Sequence, residues 1–188
     1  MKDRLRLLYT WILCKKHRIP FSKFFPCIGL NVVNYRMGGV VIGDRTNLLH
    51  GSSICSHTQT SVLKIGQRVH IGRESTITCI NSVTIEDDVL TGPHVFVADY
   101  NHEYVNPNIP IKDQGNRAKK DDRVLIERGT WIGTNAVIVG NVHIGKNCVI
   151  GANSVVTKDI PDYSFVGGVP AKIIRRYNKE TKSWERVK

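Results

Sequence analysis

An isoleucine or valine returns every sixth residue through Ile126, Ile132, Ile138, Ile144, Ile150 and Val156, and glycine or another small or short residue follows most of them. An amphipathic helix repeats about every 3.6 residues and a half-buried strand every second one, so a six-residue period marks one short unit used again and again. The register extends upstream through Ile42, Leu48 and Ile54, then Ile65, Ile71 and Ile77, then Ile85, Thr91 and Val97, where Thr91 alone is not aliphatic. The fifth position of each unit is mostly small or β-branched: Thr46, Ser52, Thr58, Val69, Ser75, Val89, Val95, Thr130, Ala136, Val142, Cys148 and Ser154. A chain that turns after every few extended residues can point one aliphatic side chain per unit into a shared core, with the small residue in a tight corner. Stacked coils then bury a continuous apolar column that no single coil could bury.

The register predicts where the coil is interrupted and where it stops. Between Val97 and Ile126 it is broken by a polar, turn-rich stretch, Asn101 to Arg123, with Pro107, Pro110 and Gly115. A loop of that length inside a compact repeat is usually functional or disordered, and its start at His102 argues for function. Residues 4 to 16 set Leu5, Leu8 and Ile12 on one helical face beside Trp11, and Pro20 and Pro26 end any helix there. Ala171 to Arg186 reads as a basic terminal helix capping the open end of the column. The expected order is an N-terminal helical or irregular segment over 1–36, a coil over 37–161 with an extruded loop over 101–123, and a C-terminal cap with a basic helix over 162–188.

Composition narrows the partners. The 188 residues suit one domain with a core of moderate size. The net charge of +11, from 27 Lys plus Arg against 16 Asp plus Glu, favours an anionic partner. Much of the excess sits at the two ends: Lys2, Arg4, Arg6, Lys15, Lys16, Arg18 and Lys23 face only Asp3, and the last seventeen residues are similarly basic. The five cysteines are dispersed without metal or redox spacing, which points to small buried residues and a reducing cytoplasm. The apolar run Leu7 to Cys14 is too short for a membrane span and lacks a cleavage signal. A basic amphipathic helix at the N-terminus either packs on protein or touches the inner face of a membrane peripherally. With no binding module and few aromatics among the basic residues, nucleic acid is not an expected partner.

Two constellations carry chemistry. One is Asn101-His102-Glu103-Tyr104 with Asn106-Pro107-Asn108-Ile109-Pro110-Ile111. The other is Gly151-Ala152-Asn153-Ser154-Val155-Val156-Thr157-Lys158-Asp159-Ile160-Pro161, followed by Gly167-Gly168-Val169-Pro170-Ala171-Lys172. Small residues there leave room against the coil, and Lys158, Lys172 and Arg175 can face phosphates. Two further motifs fail: Gly140 to Lys146 has phosphate-loop spacing but ends on Asn147, and His102-Glu103 lacks the second histidine of a zinc protease, with Asn106 in its place. No metal site is expected.

Together these residues resemble the hexapeptide-repeat acyltransferases, over about residues 40 to 175, and among them the polysaccharide and the maltose or galactoside O-acetyltransferases. The resemblance implies a mainly β fold, a left-handed parallel β-helix, in a homotrimer. It also implies acetyl-CoA as acyl donor and His102 as the base that deprotonates a sugar hydroxyl; imidazole, with an ordinary pKa of about 6.5, suits that task. By the same resemblance Trp131 lines the acyl channel, and Thr134 and Ala152 join Thr157, Lys158, Lys172 and Arg175 as donor contacts. Asn81, Asn101 and Tyr104 are the acceptor-side candidates, and Lys112, Asp113 and Gln114 also stand near the pocket or in solvent. Asp99, Glu103 or a backbone carbonyl could orient His102. The expected activity is O-acetylation of a small-molecule or lipid-linked sugar during cell-surface polysaccharide assembly, with N-acetylation of an amino sugar, acetylation of an antibiotic or of serine, and a silent scaffold as rivals.

Overall fold

The fold is taken from a computed structural model. It describes residues 38–187, Leu8, Tyr9, Trp11, Ile12 and Lys15, and the backbone of Cys27–Ile28 and Val33–Arg36. Short strands wind into a three-sided stack. Face one is a five-stranded sheet containing Gly39–Ile42, Val62–Ile65, Ser82–Ile85, Arg123–Ile126 and Val142–Ile144. Face two is a nine-stranded sheet beginning with Cys27–Ile28, Asn47–Leu48 and His70–Ile71. Face three is a six-stranded sheet containing Val33–Arg36, Ser53–Ser56, Thr76–Cys79, Phe96–Ala98, Val137–Val139 and Val155–Val156. Neighbouring coils pair in parallel, and the six-residue register survives in three dimensions. Ile42, Ile65, Ile85, Ile126 and Ile144 stand opposite one another on face one; Ile54, Ile77, Val97, Ile138 and Val156 do so on face three.

All fifteen inward positions read from the sequence are buried. Each isoleucine so placed contributes about 2 kcal/mol relative to exposure. Thr91 fits the column because its hydroxyl accepts the Gly72 N–H at 2.8 Å. The small corner residues do more than fill space. Thr46 donates to the Gly66 carbonyl at 2.6 Å and Thr130 to Gly145 at 3.0 Å, each hydroxyl tying its coil to the next.

Among the described residues, coil length varies at one corner. Inward residues are six apart at the corners leaving faces one and two, but from face three back to face one the steps are 11 (Ile54 to Ile65), 8 (Ile77 to Ile85) and 29 (Val97 to Ile126). The step returns to six at Ile138 to Ile144. Three consecutive coils therefore project extra chain on the same side.

The ends differ from expectation. Parallel pairing already involves Cys27–Ile28 and Val33–Arg36, and it continues to Ser164–Gly167, so the coil begins before residue 37 and runs past 161. Leu8, Tyr9, Trp11, Ile12 and Lys15 have helical geometry. The expected N-terminal helix as a whole lies outside the described residues. No C-terminal helix forms. Lys172–Asn178 adds antiparallel to Ser164–Gly167, and Ser183–Arg186 pairs antiparallel with it. The free sheet edge offers unpaired backbone groups, and Ile173, Ile174, Tyr177 and Trp184 are residues that favour strands. Tyr177 stands opposite Trp184 with ring centroids 5.6 Å apart.

Candidate active site

The long insertion is an ordered excursion from the corner between faces three and one. At its neck Asn101–His102 pairs antiparallel with Asn116–Arg117, placing His102 opposite Asn116. Gln114 staples its body: Oε1 accepts the Asn106 N–H at 3.0 Å, and Nε2 donates to the carbonyls of Asn106 and Ile109 at 2.8 and 2.7 Å. Arg117 donates to the Tyr104 hydroxyl at 3.0 Å with its guanidinium over that ring. Lys112 and Asp113 pair with each other in solvent. Of these candidates Gln114 therefore shapes the loop, and Tyr104 packs on the loop's own arginine.

Beneath the neck lies Asp99, fully buried. Its carboxylate accepts the backbone N–H groups of Ile80, Asn81 and Ser82 at 2.9, 2.8 and 2.7 Å. Burial pushes this carboxyl above its ordinary range, and the N–H donors pull it back. Asn81 carries the support outward: its amide donates to the carbonyls of Lys119 and Asp122 at 2.8 and 3.3 Å, closing the loop's return.

His102 itself is exposed, and its backbone N–H is held by the Asn101 side chain at 2.9 Å. Neither carboxylate considered as its orienter serves that role here. Asp99 is committed to the corner at 80–82, and Glu103 accepts the N–H groups of Tyr104 and Val105 at 2.8 and 3.2 Å. Among the described residues the imidazole has no hydrogen-bond partner.

The donor-side candidates occupy different places. Thr134 and Ala152 stack at the corner between faces two and three, where the Asn153 N–H donates to the Thr134 carbonyl at 2.9 Å. Coils approach so closely there that a Cβ on Gly133 would lie 2.6 Å from the Ala152 nitrogen. Trp131 is half exposed on the outer side of face two. It stands in one row with Leu90, Val149, Phe165, Arg175 and Arg186, an apolar stripe along the stack that ends on two exposed arginines. Sequence reasoning found Trp131 and Arg175 separately and missed Arg186, because only the hairpin register brings Arg186 alongside. Thr157 and Lys158 are exposed at the corner between faces three and one, and exposed Lys172 pairs with Gly167.

One chain does not bring all of these together. The Thr134 and Ala152 corner and the His102 corner are separated by the width of face three, on the order of 15 Å for a rung of this length. His102 and the row of Trp131 thus stand apart on one chain, as two candidate half-sites.

A stack of six-residue rungs with an extruded histidine loop defines a class, and similarity to known proteins agrees with it. Residues 123–158 match the bacterial transferase hexapeptide (six repeats) family. A protein of Escherichia coli (strain K12) named for O-acetyl transfer in lipopolysaccharide biosynthesis, WbbJ, is 38% identical over 67% of this chain and 66% of its own length. Galactoside O-acetyltransferase of the same strain is 36% identical over 63% of this chain and 59% of its length. The chain belongs to the hexapeptide-repeat transferases. It spans about two thirds or less of the length of these curated relatives. A hexapeptide-repeat acetyltransferase of Vibrio cholerae O1 biovar eltor, solved with acetyl coenzyme A, is 25% identical, covers 94% of this chain and 85% of its own, and has a TM-score of 0.59. The N-acyltransferase AntD of Bacillus cereus shares the fold with a TM-score of 0.73 at 18% identity, over 92% of this chain and 91% of its own.

Proposed function

We propose that the protein transfers acetyl from acetyl-CoA to a hydroxyl of a sugar acceptor during cell-surface polysaccharide assembly. The observation that carries this reading is an exposed imidazole at the neck of a rigid, extruded hairpin, on a coil whose outer surface offers an apolar row ending in arginines. His102 takes the proton of the acceptor hydroxyl as its oxygen attacks the thioester carbonyl. The C–S bond then breaks and coenzyme A leaves as the thiol, with the proton returned to sulfur. General-base help of this kind is worth about a hundred- to ten-thousand-fold. Trp131, Thr134, Ala152, Thr157, Lys158, Lys172 and Arg175 hold the donor, and Asn101 and Tyr104 stand on the acceptor side. No metal takes part in this scheme.

The two half-sites favour an assembly in which the His102 loop of one copy faces the donor row of the next. A homotrimer of left-handed coils meets that requirement, and the outward residues Phe96, Val137, Val139 and Val155 on face three and Leu90, Trp131, Val149 and Phe165 on face two supply apolar contact. A cytoplasmic location, with the basic N-terminus against the inner membrane face, suits a lipid-linked acceptor.

The test is acceptor-dependent thiol release from acetyl-CoA across a panel of free sugars, nucleotide sugars, amino sugars and oligosaccharides, with the product identified by mass. His102→Ala should lower the rate at least a hundredfold while leaving the melting temperature unchanged. Wild-type turnover in that variant, or acetylation confined to amines, defeats the reading.

A further inference from the structure

The corner that extrudes the His102 loop carries a second polar group on its outer side. Three successive coils contribute one side chain each: His57, Thr78 and Tyr100. His57 Nε2 lies 2.8 Å from Thr78 Oγ1, and Thr78 Oγ1 lies 3.3 Å from the Tyr100 hydroxyl. The two rings meet edge to face, with centroids 5.9 Å apart. Thr78 and Ala98 are paired at outward positions of face three, yet only 4% and 1% exposed, so other side chains cover this stretch. Tyr100 and His57 keep partial exposure.

Two features make the cluster more than surface decoration. Tyr100 stands two residues before His102, at most about 7 Å along an extended chain. The floor beneath it is fixed, because Asp99 clamps the neighbouring corner through three N–H bonds. The chain of hydrogens is also directional. If His57 Nε2 accepts, Thr78 donates to it, Tyr100 donates to Thr78, and the tyrosine oxygen offers only lone pairs outward. If Nε2 donates, the sequence reverses and the tyrosine O–H points outward as a donor. A sugar hydroxyl is both donor and acceptor, so either sense can meet it.

We infer that His57, Thr78 and Tyr100 form the acceptor-recognition wall of the site, with the Tyr100 hydroxyl binding a sugar hydroxyl next to the one that His102 deprotonates. This rests on the acetyl-transfer reading above. Thr78 and His57 act through Tyr100 as positioning residues.

The experiment measures steady-state kinetics of Tyr100→Phe, Thr78→Val, His57→Gln and the Tyr100→Phe/Thr78→Val pair, using the panel sugar that gives the wild type its largest thiol release. Tyr100→Phe should raise the acceptor KM about threefold to tenfold, the worth of one neutral hydrogen bond. The acetyl-CoA KM should not change. Thr78→Val should give a similar rise, and the double variant no more than either alone, because one chain is being broken. His57→Gln, which keeps a donor and an acceptor, should stay within about twofold of wild type. An unchanged acceptor KM in Tyr100→Phe overturns the inference, as does a parallel rise in the acetyl-CoA KM or a loss explained by a lower melting temperature. Failure of the acetyl-transfer reading looks different: no panel sugar then stimulates the wild type.

Discussion

At the scale of single residues, Asp99 and the proposed base His102 do not form a dyad. Asp99 is placed to look like the carboxylate behind a base, but both oxygens serve backbone donors at 80–82. Its removal should therefore show in stability first. Asp99→Ala leaves three N–H groups without an acceptor and should cost about 3 kcal/mol in urea unfolding, with Asp99→Asn between it and wild type. An unchanged midpoint in the alanine variant would refute the clamp. Arg68 and Asp88 give a second residue-scale prediction. The guanidinium donates to both oxygens of Asp88 at 2.6 and 2.8 Å and holds that carboxyl below its ordinary 3.8. A depressed folded value means the pair contributes stability above the unfolded value and loses it as pH falls through the folded one. Asp88→Asn should thus flatten the acid limb of melting temperature against pH below about pH 4, and added salt should mimic it.

At the scale of elements, the C-terminal hairpin is the clearest case of context overriding local preference. Lysines, arginines and glutamate over 171–186 are compatible with a helix, and spacing alone offers no objection. The open edge at Ser164–Gly167 decides for strands, since Lys172–Asn178 can satisfy its backbone groups at once. Trp184→Ala removes the cross-strand partner of Tyr177 and should cost about 1 kcal/mol, measured by chemical denaturation with strand content followed by circular dichroism. A gain of helical signal in the isolated full chain at neutral pH would contradict the assignment. The extruded loop shows the opposite relation. Its existence was legible from the broken register, whereas its rigidity depends on Gln114 and Asn81 reaching carbonyls that sequence order does not advertise.

At the scale of the whole molecule, the placement of the candidate half-sites on separate corners supports the proposed assembly as the unit of catalysis. Co-expressing His102→Ala chains with Ala152→Trp chains should restore about a quarter of wild-type activity, because mixed contacts then unite an intact loop with an intact donor corner. Two inactive parents whose mixture stays inactive would return the site to a single chain. The sequence by itself determined the apolar column and its interruption at the histidine loop, and by resemblance it marked His102 as the base now proposed. Each inward position is set by a turn only a few residues away, so its signal repeats locally and can be counted. Only the tertiary structure decided that every insertion leaves by one corner, that Asp99 supports backbone instead of the base, that the terminal segment is a hairpin, and that Trp131, Arg175 and Arg186 share a row. Those outcomes depend on hydrogen-bond pairing at separations that run from 5 residues (Gly167 with Lys172) to 41 (Leu90 with Trp131), and pairing so varied leaves no period in the chain.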